Sequence, residues 1–224
     1  MSSENPYVGA YPEMRGRRNV WRAIARYIER DAPKVGAMIE LGTGYGDFVN
    51  AFPAEKKIAF DLNPEMQAHI ASEVDLRIED ATRLDGVLDE SIELIFASNF
   101  LEHLEGEEID TLLDRCFEAL KPGGQLILIQ PNHRLCAENY FDDPTHRTIF
   151  DDANIGEWLS AHGFRIRKLI PGFLPFSMNG RLPKSGILTA LYLMSPWKPL
   201  AAQMYVVATK DQGGQEEQES QGAN

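Results

Sequence analysis

The chain has 224 residues, 43% of them hydrophobic and 25% charged, which is ordinary globular usage and far from disordered or collagen-like composition. Its 22 basic residues against 34 acidic ones give a net charge of −12, which opposes sequence-blind attraction to nucleic-acid phosphates and points instead to small molecules or proteins. Cys116 and Cys136, with no Cys-x-x-Cys or Cys/His spacing, exclude a disulfide framework and a structural zinc site and fit a reducing cytoplasm, and the longest apolar run, 186–194, is far short of the roughly 20 residues a membrane-spanning helix needs.

Residues 1–16, rich in Gly, Pro, Ser and Tyr, lack the apolar core of a secretory leader and read as a flexible arm. A helix is predicted over Arg18–Asp31. Val20, Ile24, Tyr27 and Ile28 recur at helical spacing, while Arg18, Arg22 and Arg26 form a row on another face, either simply solvated or suited to a phosphorylated acceptor. After Pro33, short apolar runs at 35–41, 57–62, 74–80, 91–98 and 124–131 alternate with helical segments near 46–52, from Pro64, and over 107–120. Such a series demands an α/β fold, with a mostly parallel sheet covered by helices on both faces. A helix over 151–162, ended by Gly163, and a strand over 164–170 follow. Pro171, Pro175, Pro183, Pro196 and Pro199 then interrupt regular structure, so 171–201 reads as an irregular insertion with one short helix around 185–193. A final strand covers 202–210, and the acidic stretch 211–224 has nothing to bury and reads as disordered. The organisation is one domain over 17–210.

The most informative stretch, Glu40-Leu-Gly-Thr-Gly-Tyr-Gly-Asp-Phe48, lies where the first strand gives way to a helix. A ligand across the carboxyl end of a parallel sheet approaches that turn so closely that Cβ atoms at Gly42, Gly44 or Gly46 would collide with it or block the required backbone angles. Asp47 stands where the dinucleotide fingerprint places its third glycine, so a pyrophosphate clamp is less well matched. Asp61 ends the second strand, where a carboxylate can accept from ribose hydroxyls, and Asp80, followed by Ala81, ends the third, where it can accept from an adenine amine. Each acid alone could cap a turn; the convergence of three strand ends favours a nucleotide-like ligand.

With these features the sequence resembles the class I S-adenosylmethionine-dependent methyltransferases, in order from Val35 to Thr209: ELGTGYG, AFDLNPE, EDATRL, ASNFLEHL and LKPGGQLILIQPN. The resemblance implies a Rossmann-like seven-stranded sheet with an antiparallel last strand and S-adenosyl-L-methionine over its carboxyl edge, lined by Glu40, Gly42, Thr43, Gly44, Asp61, Leu62, Asp80, Ala81 and Asn99. The DPTHRTIF segment and the insertion are similar to small bacterial enzymes that methylate cell-surface glycans or their precursors. No Asn/Asp-Pro-Pro-Tyr motif follows the fourth strand, which separates the chain from amino-methylating DNA enzymes.

A hydroxyl acceptor must lose its proton during methyl transfer. His103, in NFLEHL, sits past the fourth strand and serves either as a catalytic group or as a packing and capping residue. His146, in Asp142-Asp-Pro-Thr-His-Arg147, is the stronger candidate base, since a carboxylate and a cation accompany it, although Asp-Pro also starts turns. A metal site from Asp142, Asp143, His146 and His133 is disfavoured, because neighbours on one loop rarely complete a coordination sphere; no metal is expected. His69 and His162 read as surface or capping residues. Tyr7, Tyr11, Arg15 and Arg17 could close over the cofactor as a lid or remain an untethered terminus. The insertion at 173–200 mixes apolar with basic residues and suits roofing the acceptor pocket first, then a partner subunit or peripheral contact with a membrane.

These residues predict a methyltransferase acting on a small hydroxyl-bearing acceptor such as a sugar or glycan precursor, against an NAD(P)-dependent oxidoreductase or a non-catalytic protein that binds S-adenosylmethionine. A thermal-shift comparison separates the ligands. S-adenosylmethionine or S-adenosylhomocysteine at 100 times its dissociation constant should stabilise the protein by about 2.7 kcal/mol, with NAD(P) inert; stabilisation by NAD(P) alone would reverse the assignment.

Overall fold

A computed structural model describes residues 16–176 and 184–211. Most of the expected arm and nearly all of the acidic tail lie outside them, as do Tyr7, Tyr11, Arg15 and Arg181. Seven strands form one sheet in the order β3-β2-β1-β4-β5-β7-β6, comprising β1 (Val35–Leu41), β2 (Ala54–Phe60), β3 (Val74–Arg77), β4 (Ile92–Ser98), β5 (Leu120–Pro131), β6 (Phe164–Pro175) and β7 (Ala201–Lys210). The first five pair in parallel, and β7 runs antiparallel to both β5 and β6.

Apolar runs without polar alternation arise because both sheet faces are covered. Alternate residues of a strand feed two separate cores. Ile39, Leu41, Ile95 and Ala97 pack with α3 (Gly106–Ala119) and α5 (Ile155–Ala161), whereas Met38, Leu94 and Phe96 pack with α1 (Arg17–Ile28) and α2 (Asp47–Ala51). Each of the Ile, Leu, Met and Phe side chains contributes roughly 1.5–3 kcal/mol when fully buried, so a one-residue slip of register would be strongly selected against. Both cysteines are free and buried.

Several boundaries differ from the sequence expectation. The segment from Pro64 forms a 3₁₀ turn, Pro64–Ala68, and β3 stops at Arg77, leaving Asp80 in the loop beyond. β5 begins at Leu120 and takes in the LKPGG segment. β6 continues through Pro171 to Pro175, with register shifts between Ile170 and Pro175. It lies at the sheet edge, where a missing proline N–H costs no ladder bond on the open side. The short α4 (His133–Cys136) has no periodic signal and rests on the Asn132 side chain, which accepts from the Arg134 amide.

Among the described residues of the insertion, apolar side chains divide between the core and the surface. Phe173 is buried and stacked on Tyr205, and Leu193 of α6 (Gly186–Met194) is buried in the same core, while Ile187, Leu188, Leu191 and Met194 face solvent. Among the described residues no helix is long and apolar enough to cross a membrane. The parallel strands deliver Leu41, Phe60, Arg77, Ser98 and Pro131 to one edge, and the loops that carry the candidate residues open from it.

Candidate active site

The turn between β1 and α2 is built on left-handed glycines, with Gly42, Gly44 and Gly46 at φ of +64°, +50° and +65°. Sterics inside the chain explain two of them. A Cβ on Gly42 would lie 2.5 Å from the Phe100 ring, and one on Gly46 would strike Ile70, whereas one on Gly44 would meet nothing within 4 Å. The crowding expected from a ligand at all three glycines is thus supplied at two of them by the protein, and Gly44 alone borders open space.

Glu40 holds this turn from below. It is 5% exposed, and its Oε2 accepts from Thr43 Oγ1 and the Val49 amide, each at 2.9 Å. Burial pushes its carboxyl up to about 8. Asp61 joins the second strand end to the turn, since its Oδ2 accepts from the Gly44 amide at 2.7 Å and its Oδ1 from the Asn63 amide at 2.8 Å. Burial raises its pKa, opposed by those amides. Asp61 stays partly exposed, and the Leu62 amide adds to these donors, leaving part of the carboxylate's roughly four-bond accepting capacity.

The other predicted cofactor residues surround this junction less tightly. Asp80 is exposed and accepts from the Thr82 amide at 2.9 Å, the local turn bond that an Asp in such a loop commonly makes; Ala81 is buried and Leu62 half-exposed. Asn99 takes a left-handed conformation at the end of β4, and its Oδ1 accepts from Gln203 Nε2 at 2.9 Å. Arg17, expected in a lid, instead pairs with Asp47 at 2.6 Å and lies over the Tyr45 ring, pinning the start of α1 to the glycine turn.

A second group forms where the loop carrying His146 folds onto the 3₁₀ turn Leu101–His103. The Arg147 and Thr148 amides donate to the Glu102 carbonyl at 2.8 and 3.2 Å, and Thr148 Oγ1 donates to the Leu104 carbonyl at 2.6 Å. This docking sets the His103 and His146 rings edge to face, 5.0 Å between centroids. Thr145 Oγ1 lies 2.8 Å from His103 Nδ1 and donates to Asp143 Oδ1 at 2.5 Å. A hydroxyl has one proton, so His103 Nδ1 is the donor in that chain. The orienting carboxylate thus acts on His103 rather than His146, and Arg147 reaches Glu105 instead of the site.

Burial lowers the pKa of both histidines, with His146 adding to the effect on His103, while the Asp143 charge opposes it at both. Both rings are therefore neutral at pH 7. His146 packs on Tyr140, and its buried Nδ1 has no hydrogen-bond partner. Glu102 is fully buried, neither oxygen has a well-formed hydrogen bond, and burial with the nearby Asp143 charge pushes it up to about 8. Glu102, His103 and His146 each offer a donor atom within 4.8 Å of the others, the atom types a divalent cation accepts. Sequence reasoning singled out both histidines but not the Thr145–Asp143 link or the burial of Glu102. The only available signal was the adjacency of Glu102 and His103.

Comparison with known proteins follows the same lines. A family model described as a methyltransferase domain matches residues 14–169. A malonyl-[acyl-carrier protein] O-methyltransferase of Methylococcus capsulatus is 25% identical over 195 residues, covering 83% of this chain and 69% of that protein. Among solved structures, a SAM-dependent methyltransferase from Archaeoglobus fulgidus superposes with a TM-score of 0.65 at 22% identity, covering 87% of this chain and 94% of that one. One from Mesorhizobium loti gives 0.60 at 16%, covering 83% and 97%.

The raised carboxyls have a measurable consequence. Folded Glu40 and Glu102 keep their protons up to about pH 8, whereas an unfolded glutamate releases its proton near 4.5, so their contribution to stability is complete below pH 4.5 and is lost as pH rises towards 8. Glu102→Gln, which is neutral throughout, should flatten the fall in melting temperature between those limits; a slope equal to that of the unaltered protein would refute the protonated state.

Proposed function

The chain belongs to the class I S-adenosylmethionine-dependent methyltransferases, and from this premise we propose that it methylates a hydroxyl of a small acceptor, a sugar or glycan precursor, with His146 as the proton acceptor. S-adenosylmethionine supplies a methyl group already activated by its sulfonium sulfur. The glycine turn and Asp61 fit its adenosyl part: Gly44 borders open space and the partly exposed Asp61 carboxylate keeps accepting capacity for a ribose hydroxyl. Asp80, in the loop beyond β3, and Asn99, just past β4, complete the proposed cradle.

The observation that carries the acceptor class is the pair of neutral imidazoles beyond β4. A hydroxyl keeps its proton until attack, and a base must take it as the oxygen–methyl bond forms. A carboxylate acceptor is ionised at neutral pH and has no use for such a base. The relative from Methylococcus capsulatus, named a malonyl-[acyl-carrier protein] O-methyltransferase, supports oxygen as the receiving atom; a malonyl group's free oxygens are a carboxylate, so the hydroxyl rests on the imidazoles alone. In this reading His146 takes the proton, and His103, tied to Thr145, holds the ring against which His146 packs. The Asp143 charge, which favours the protonated form of either ring, stabilises the imidazolium that results. Phe141, half-exposed beside Tyr140, offers an apolar surface for one face of a sugar.

Asp61→Ala should weaken S-adenosylmethionine binding by about 1–3 kcal/mol in calorimetry, the cost of losing hydrogen bonds to a buried partner; an unchanged dissociation constant would remove Asp61 from the ribose. His146→Ala should lower kcat far more than cofactor affinity and abolish an activity limb that rises with pH, with a midpoint below 6.5 because burial depresses the imidazole. Activity should survive dialysis against a chelator. Loss restored by a divalent cation would instead assign deprotonation to a cation held by Glu102, His103 and His146.

A further inference from the structure

We propose that the face formed by α6 and α1 docks on an anionic lipid bilayer. α6 has no charged residue within Gly186–Met194. One side of it is anchored, since Leu193 lies in the same buried cluster as Val20 and Trp21 of α1. On the other side Ile187, Leu188, Leu191 and Met194 recur every three to four residues, and with Trp197 and Leu200 beyond the helix end they are 50–76% exposed. Single exposed apolar residues are normal on a soluble protein. Six on one helix and the turn after it make a ridge, and such a ridge marks an interaction surface.

Charge identifies the occupant. The chain is strongly acidic overall, yet between Leu169 and Thr209, the stretch that contains α6, it has three basic residues, Arg181, Lys184 and Lys198, and no acidic one. α1 supplies more positive charge at the same place. Its Asn19 carbonyl lies against Gly186, where an added Cβ would come within 2.7 Å, and Asn19, Arg22 and Arg26 share one stripe of the helix. Arg18, Arg22 and Arg26 are all exposed, and Arg22 and Arg26 have no carboxylate partner among the described residues. A second copy meeting the ridge about a twofold axis would bring its own arginine row towards this one, which like-charge repulsion disfavours. An anionic bilayer surface satisfies both features at once. The ridge enters the boundary between headgroups and acyl chains, Trp197 sits at headgroup level, and the arginines meet lipid phosphates. The inference holds whatever the methyl acceptor is, although a lipid-linked glycan precursor would be found at such a surface.

The test is co-sedimentation of the full chain with vesicles of phosphatidylcholine, with and without phosphatidylglycerol. Binding should appear with phosphatidylglycerol, be at least about tenfold weaker without it, and fall as salt screens the arginines. Leu188→Glu/Leu191→Glu should abolish it, and Arg22→Gln/Arg26→Gln should weaken it by roughly fivefold per arginine. Melting temperature and circular dichroism report whether each variant is folded; if the double glutamate variant is not, Trp197→Ser, at an exposed turn, takes its place and should weaken binding. Absence of binding to mixed vesicles, or equal binding by the folded variants, overturns the proposal. So does a concentration-dependent dimer that the glutamate variant dissolves while vesicles take up no protein.

Discussion

The buried carboxyl of Glu40 is the contact on which the site depends. A chain leaving β1 must reverse into α2 within a few residues, and three left-handed glycines allow that path without selecting it. Selection comes from Glu40, which ties Thr43 in the middle of the turn to Val49 in the helix. Removing either partner would leave a buried polar atom unpaired, at about 1–3 kcal/mol, so the arrangement is favoured by what its loss would cost more than by the strength of its bonds. With the turn fixed, the Gly44 amide points at Asp61, and the first two strand ends become one surface.

The sequence revealed those parts of the molecule that follow from periodicity. Val35–Leu41 was readable as a strand to the residue, because a run without polar alternation, placed between a proline and a glycine turn, has few other uses in an α/β chain. β6 was cut short at residue 170 because Pro171 reads as a break. Only the sheet order shows that β6 is an edge, where proline is harmless. Contacts between distant residues left no local trace. Phe100 closes over Gly42, and Thr145 connects His103 to Asp143, through pairings that arise only when parallel strands bring their following loops together. The glycine spacing announced a tight turn correctly, while assigning the crowding at Gly42 and Gly46 to a ligand rather than to Phe100 and Ile70.

Burial raises carboxyls on both halves of the sheet edge: Glu40 beneath the glycine turn, like Glu102 beside His103, is pushed up to about 8. At Asp61 backbone amides oppose desolvation, and its pKa still stays raised. Around His103 such donors are scarce. Glu102 keeps its proton and the imidazoles stay uncharged, leaving Asp143 as the carboxylate that faces them. Neither imidazole charge nor a second carboxylate charge is therefore present beside Asp143.

That neutrality bears on the transfer itself. A sulfonium is a fixed cation, and an imidazolium close to it would both repel it and have no capacity left for a proton. If His146 is the base proposed above, burial, by lowering both histidine pKa values, removes that repulsion and leaves the imidazole able to take a proton. In the proposed transfer to a hydroxyl, as the oxygen–methyl bond forms and the sulfur–methyl bond breaks, the positive charge leaves sulfur, and a proton of the same charge must be accepted on the acceptor side. Asp143, reached through Thr145, faces the imidazoles with a compensating negative charge, so on that proposal the site moves a charge across instead of creating one at the moment of reaction.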